Sequence, residues 1–317
     1  MALARWVLFF DARKSYGSVS SMSKRVTAIA AIVSAAILIL AGSGCGMGSA
    51  VKVSSVDELD DAIHPKEAPK PVEKPVEKAA VKVVAGGGGG EPFALEKATA
   101  TIKGVVLFEG TPPKVLGITV SDSGCAKCRA ENTMHVLVKE NYVINDGKFA
   151  NVIVFVSDGS NKYNFENFTL PPARINQFGC QYIPHVLALM TDQKLEIQSS
   201  DDVNHNIHAS PKDNKEFNVS QGTKGIMPTK PSFATPEMDI KVQCDVHNWM
   251  TAHICVFGHP FFALTKEDGT FEIKLPPGKY ELSAWQENQG LIKAPKPQNV
   301  EVKADAPSEI KFVYMGK

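Results

Sequence analysis

The chain has 317 residues, 44% of them hydrophobic, which is enough to bury a sizeable core in one or two domains. Its 34 basic and 34 acidic residues cancel. No basic stripe with interleaved aromatics runs through it, which argues against a nucleic-acid partner.

The segment Met22–Cys45, MSKRVTAIAAIVSAAILILAGSGC, opens with basic residues, continues as an apolar run from about Ala28 to Ala41, and closes on small residues before a cysteine. That is the layout of a secretory signal. It resembles a bacterial lipoprotein signal ending at Cys45, with Gly42 where such signals usually carry leucine. Residues 1–45 are therefore expected to direct export to the periplasm or cell surface, with lipid attachment at Cys45; an uncleaved anchor is the alternative. Residues 46–96 read as a disordered tether rich in Pro, Lys and Glu that closes on the glycine run Gly86–Gly90. They lack the apolar periodicity needed to bury a core. Extended, the tether would reach on the order of 150 Å at about 3.1 Å per residue.

From about Thr99 onward the pattern is all-β. TIKGVVLFEG, FANVIVFVSDG, QKLEIQSSD, MDIKVQC, TAHICVFG, TFEIKL, KYELSAW and EIKFVY are short, rich in β-branched or aromatic residues, and often alternate apolar with polar. Asp158-Gly159, Asp268-Gly269 and Pro276-Pro277-Gly278 punctuate them as turns. The pair Cys125 and Cys128 lies in SGCAKCRA. Haem c attachment would need histidine where Arg129 stands, and a thioredoxin-like redox pair would need a βαβ context. In an exported chain a structural disulfide is expected, either within the pair or from one member to Cys180. Cys255 falls on a strand and reads as a small buried apolar residue; His185 and His253 read as structural.

The stretch KVQCDVHNWMTAHICV stands out because Cys244, His247 and Met250 lie within one turn between two strands. A thiolate, imidazoles and a distant thioether form the trigonal set with a long axial bond used by electron-transfer copper. Zinc sites prefer more thiolates or histidines and rarely take a thioether. A two-copper centre would need a second cysteine in the loop, and the loop has one. Each residue also has an ordinary alternative: a disulfide for Cys244, an idle polar-loop position for the histidine, core packing for Met250. The missing donor is sought upstream in SSDDVNHNIHAS, which offers His205 and His208.

With these residues in hand, a resemblance to the type 1 copper cupredoxins of the plastocyanin and amicyanin kind emerges. The run His205-Asn206-Ile207-His208 is similar to the ligand segment of those families, where the first histidine binds the metal and the asparagine steadies the cysteine loop. C-x2-H-x2-M is the amicyanin spacing. FATPEMDIKVQC resembles the strand that leads to the copper cysteine. The likeness covers roughly Phe178 to Gly258. Asp245, Val246 and Trp249 depart from the usual intervening residues, and Asn204 stands in place of a proline. The resemblance implies one mononuclear copper held by His205, Cys244, His247 and Met250, with His247 as the rim imidazole facing redox partners and Asn206 as a support.

PFFALTKEDGTFEIKLPPGKYELSAW resembles the carboxypeptidase regulatory-like domains, which have a transthyretin-like sandwich. Their opening I-x-G-x-V strand is found here far upstream, at TIKGVV. The expected architecture is a Greek-key cupredoxin sandwich over 176–258 and a second, transthyretin-like β-sandwich from 97–175 and 259–316. Pairing of the 102–108 strand with C-terminal strands would mark the copper domain as an insertion. The combination also resembles exported proteins filed under methylamine utilisation. The function these likenesses imply is a membrane-tethered, non-enzymatic carrier of single electrons between redox proteins. Copper storage or delivery, and a metal-free binding or adhesion module, are the competing expectations.

Overall fold

The computed structural model describes residues 90–317 apart from 132–138, 228–230, 288–289 and 305. The expected signal, Cys45 and the expected tether up to residue 89 lie outside the described residues. Those that are described belong to one compact unit, Glu73–Lys317. Apart from the helix Ser123–Glu131 and a 3-10 turn at Leu95–Lys97, the regular elements are strands. The protein is all-β.

Two sheets pair strands from both ends of the described chain. The long strand Ala100–Glu109 runs antiparallel to Thr270–Leu275 and parallel to Ser308–Gly316. Its inward residues alternate with exposed ones, as a half-buried strand requires. Facing it is the sheet ordered Phe262–Leu264, Ile153–Asp158, Gly278–Trp285, Gln298–Val302. Ile102, Val106, Val154, Leu282 and Phe312 fill the space between. The Lys266–Thr270 turn puts Gly269 at φ +72°, a conformation glycine adopts without a Cβ clash. Pro276-Pro277 carries the chain from one sheet to the other, and the Tyr280 hydroxyl donates back to the Pro276 carbonyl at 2.8 Å.

The strands between 173 and 257 build two further sheets. One is ordered Phe217–Gln221, His205–Ser210, Glu237–Gln243, Thr251–Phe257, Val186–Met190; the other Gly225–Ile226, Leu195–Ser199, Ala173–Gln177, Tyr182–Ile183. Ile175, Leu189, Ile197, Ile207, Ile240 and Ile254 form the core between them.

The near-continuous apolar runs have a separate cause. In Ile153–Asp158, Val154 and Val156 point into the first core while Ile153 and Phe155 point outward. Those outward residues meet Cys255, Phe257 and Val186 of the other sandwich, with Trp285 alongside. Strands buried on both faces lose the alternation that solvent would impose. Cys255 is accordingly buried, with its thiol pushed up by desolvation.

The expected tether extends too far at its C-terminal end. Phe93 is buried against Phe165, Phe168 and Phe261, and Glu91–Pro92 pairs with Tyr163–Asn164. An aromatic side chain that can enter a core outweighs the polar composition around it.

Candidate metal centre

Strands Glu237–Gln243 and Thr251–Phe257 run antiparallel and clamp the loop that carries Cys244, His247 and Met250. The loop closes on itself: the Cys244 amide donates to the Met250 carbonyl at 3.1 Å, and the Met250 amide donates to the His247 carbonyl at 2.8 Å. Strand pairing sets His208 opposite Gln243, which brings His205 and Asn206 beside the loop. Asn206 ties the two segments together, its Oδ1 accepting from the Asp245 amide at 2.7 Å and facing the Cys244 sulfur at 3.3 Å.

His205, Cys244 and His247 converge, with one donor atom of each within 4.8 Å of the others. His205 Nδ1 stands 3.0 Å from His247 Nδ1, which is 3.8 Å from the Cys244 sulfur. All three are buried, at 0%, 2% and 0% exposure. Met250 is buried in the same apolar cluster as Cys244. His208 goes elsewhere, onto the carboxylates of Glu216 and Asp245 near the surface.

The hydrogen bonds fix the tautomers. Asp201 is fully buried and its carboxylate accepts from the amides of Gly179 and Cys180, both at 2.8 Å, and from the Cys128 thiol at 3.0 Å. His205 Nε2, 3.0 Å away, therefore donates to Asp201, and Nδ1 is the nitrogen turned toward His247. His247 Nε2 faces the disulfide sulfur of Cys125 at 3.5 Å and Asp122 Oδ1 at 3.9 Å. Both neighbours are acceptors, so they favour a proton on Nε2 and leave Nδ1 facing His205. The two Nδ1 atoms thus face each other at 3.0 Å beside a sulfur; a proton on His205 bridges them in the protein alone, and a metal ion taking the place of that proton would be met by all three.

Burial opposes ionisation of Cys244, yet the His205 hydrogen bond and the amides of Asn206, His247 and Val246 hold its thiol below the ordinary range. Against the same burial, Asp201 and Cys244 push His205 up to about 9. His247 is lowered by burial and by the facing imidazole. Donors at about 2.0–2.3 Å from a central ion, spread around it, lie about 3–4 Å apart. The donor set fits a trigonal thiolate–bis-imidazole ion of the electron-transfer copper type.

One expectation needs correction. His247 is not an open rim imidazole, because the helix Ser123–Glu131 lies over it. Asp122 caps that helix through the Cys125 amide at 2.8 Å. Cys125 is bonded to Cys180, and Arg129 donates to the Gly179 carbonyl at 2.7 Å. Trp249 covers another side, its ring centroid 5.2 Å from that of His247 and its Nε1 donating to the Cys180 carbonyl. Asp201 was not singled out from the sequence, although it stands four residues before His205.

No family model matches the chain, and no curated protein matches it in sequence. Among solved structures, a Cu-containing nitrite reductase (NirK) from Thermus scotoductus SA-01 is similar at 18% identity and a TM-score of 0.25, over 28% of this chain and 23% of that one. A purple cupredoxin from Nitrosopumilus maritimus is similar at 21% identity and a TM-score of 0.23, over 26% of this chain and 98% of that one. The M98A mutant of amicyanin in its Cu(I) form is similar at 12% identity and a TM-score of 0.22, over 27% of this chain and 81% of that one. The chain thus spans under a quarter of the nitrite reductase.

Proposed function

We propose that this is an exported, membrane-tethered copper protein that carries single electrons between redox partners. One mononuclear ion would be held by His205, Cys244 and His247, with Met250 as the weak axial donor. The observation behind this reading is the convergence of two buried imidazole Nδ1 atoms, 3.0 Å apart, on the buried Cys244 sulfur. When bound, copper supplies the one-electron couple between Cu(I) and Cu(II). The chain holds the donors still. Asp201 orients His205, the Cys125 sulfur and Trp249 pack His247, and Asn206 locks the cysteine loop. Such outer contacts fix ligand direction and limit the rearrangement that each electron transfer would otherwise demand.

Enclosure favours a carrier over a delivery protein. A donor set with next to no exposed surface is suited to retaining its ion. The second sandwich, which interrupts itself to accommodate the copper domain, is a transthyretin-like support in this reading. Export and anchoring rest on the Met22–Cys45 segment.

The test is reconstitution of the purified protein with Cu(II). The expected result is an intense thiolate-to-copper absorption band in the visible, lost in Cys244→Ser and weakened or shifted in His205→Ala. Copper uptake without that band, or a band that survives in Cys244→Ser, overturns the assignment.

A further inference from the structure

A second cluster sits at the joint between the two sandwiches, away from the thiolate. His253 lies in the strand Thr251–Phe257 and His185 just before the parallel strand Val186–Met190, the His253 amide donating to the His185 carbonyl at 2.9 Å. Glu287 comes from the other sandwich, two residues beyond the strand Gly278–Trp285. His185 Nε2 and His253 Nε2 both point at Glu287 Oε2, at 2.9 and 3.0 Å. The Glu287 side chain is 2% exposed and that of His185 7%.

The far side of each ring fixes its tautomer. His185 Nδ1 is 3.0 Å from the Thr251 carbonyl, which can only accept. His253 Nδ1 is 2.7 Å from an Asp239 carboxylate oxygen. Both rings therefore donate from Nδ1. In their neutral forms both present bare Nε2 lone pairs to a carboxylate oxygen that is itself an acceptor. Such a convergence of acceptors is met either by a proton on each Nε2 or by one metal ion that takes the place of both. Histidines that bind metals characteristically give their other N–H to a carboxylate or a backbone carbonyl, and both contacts are present here. Two donors at about 2.1 Å from an ion and at right angles to each other stand about 3.0 Å apart, which matches the two nitrogen–oxygen distances. Against burial, Asp239 and Glu287 hold His253 protonated, its pKa pushed up to about 9, and a dication would carry the same charge as protons on both rings.

We infer that His185, His253 and Glu287 form a second metal site, for a divalent first-row transition ion held by two imidazole nitrogens and one carboxylate. Two histidines and a carboxylate on one face, with open positions opposite, suit Fe(II), Zn(II) or Cu(II). The open positions give onto a cavity of about 710 Å³ whose lining also includes Trp249 and Met250. A small ligand could thus reach this ion near the wall of the thiolate site. Because the ligands come from both sandwiches, the ion would also pin the joint.

The experiment is a crystal structure of the full chain with anomalous difference maps. Crystals grown with Zn(II), with Cu(II), and anaerobically with Fe(II) are compared at each absorption edge. The proposal expects a peak about 2.1 Å from His185 Nε2, His253 Nε2 and Glu287 Oε2, located separately from any peak at Cys244. In solution, Glu287→Gln should lose one bound equivalent and the thermal stabilisation that comes with it, while the visible thiolate band is unchanged; His253→Gln should do the same. Circular dichroism verifies that each variant is folded, and whichever is folded decides. Absence of a peak with all three ions, or unchanged stoichiometry in a folded variant, overturns the proposal. In that case the cluster is an ion triad with two protonated imidazoles, and the copper assignment stands or falls on its own band.

Discussion

A histidine's role here can be read from what each ring nitrogen touches, and His259 provides the contrast. Its Nε2–H donates to the Val156 carbonyl at 2.9 Å, and its Nδ1 accepts from the Phe261 amide at 3.2 Å. Both nitrogens are satisfied in the neutral ring, the residue is 1% exposed, and the surrounding rings are Phe165, Phe257 and Phe261. Burial pushes its pKa down to about 4, against the hydrogen bond to Val156. The unfolded chain therefore binds a proton near pH 6.5 that the folded chain refuses. Stability should fall as pH drops from about 6.5 to about 4, by ~3 kcal/mol from this residue alone. Denaturant unfolding at pH 7 and at pH 4.5, compared between the wild type and His259→Gln, measures it. An equally steep loss in the variant would assign the effect to other groups.

Among the elements, the helix Ser123–Glu131 is the least self-sufficient. SGCAKCRAE has no apolar stripe, so the helix is held by specific attachments: the Cys125–Cys180 disulfide, the Cys128 thiol on Asp201, and Arg129 on Gly179. The disulfide closes a loop of 55 residues, for which chain entropy gives an upper value of ~4 kcal/mol. Reduction, or Cys180→Ser, should lower the unfolding free energy by up to that amount and free the helix amides to exchange. The Thr251–Phe257 amides should stay protected in hydrogen-exchange mass spectrometry. Helix amides still protected after reduction would mean that the other attachments suffice. This element also marks where sequence reading ends. That Cys244 and His247 would meet was legible because both lie in one short loop, and that His205 would join them because its segment follows a familiar pattern; Met250 is placed only in the core it shares with Cys244. The strands were legible from alternation and turn residues. The cover over His247 was not, because it depends on a disulfide partner that spacing leaves open and on a helix without periodicity. His185, His253 and Glu287 were equally hidden, since His185 and Glu287 stand 102 positions apart and only strand register and the joint bring them together.

For the molecule as a whole, the joint between the sandwiches determines how it unfolds. The chain leaves one sandwich after Glu109 to lay the helix Ser123–Glu131 on the other, returns for Ile153–Asp158, leaves again after Tyr163–Asn164 and comes back after Phe257, so separating the sandwiches pulls on four connections. Part of that joint is a packed apolar layer. Phe257 is fully buried, with its ring centroid 4.9 Å from that of Phe155 and 5.0 Å from that of Phe262. Truncating a buried phenylalanine typically costs about 3–5 kcal/mol, and here the loss falls on the shared layer and spares both separate cores. Calorimetry of the wild type should show one cooperative transition, and Phe257→Ala should both lower it and split it in two. Val242→Ala serves as the control: Val242 is buried in the core of one sandwich only, so its truncation should lower the transition without splitting it. Two separate transitions already present in the wild type would show that the joint does not couple the sandwiches.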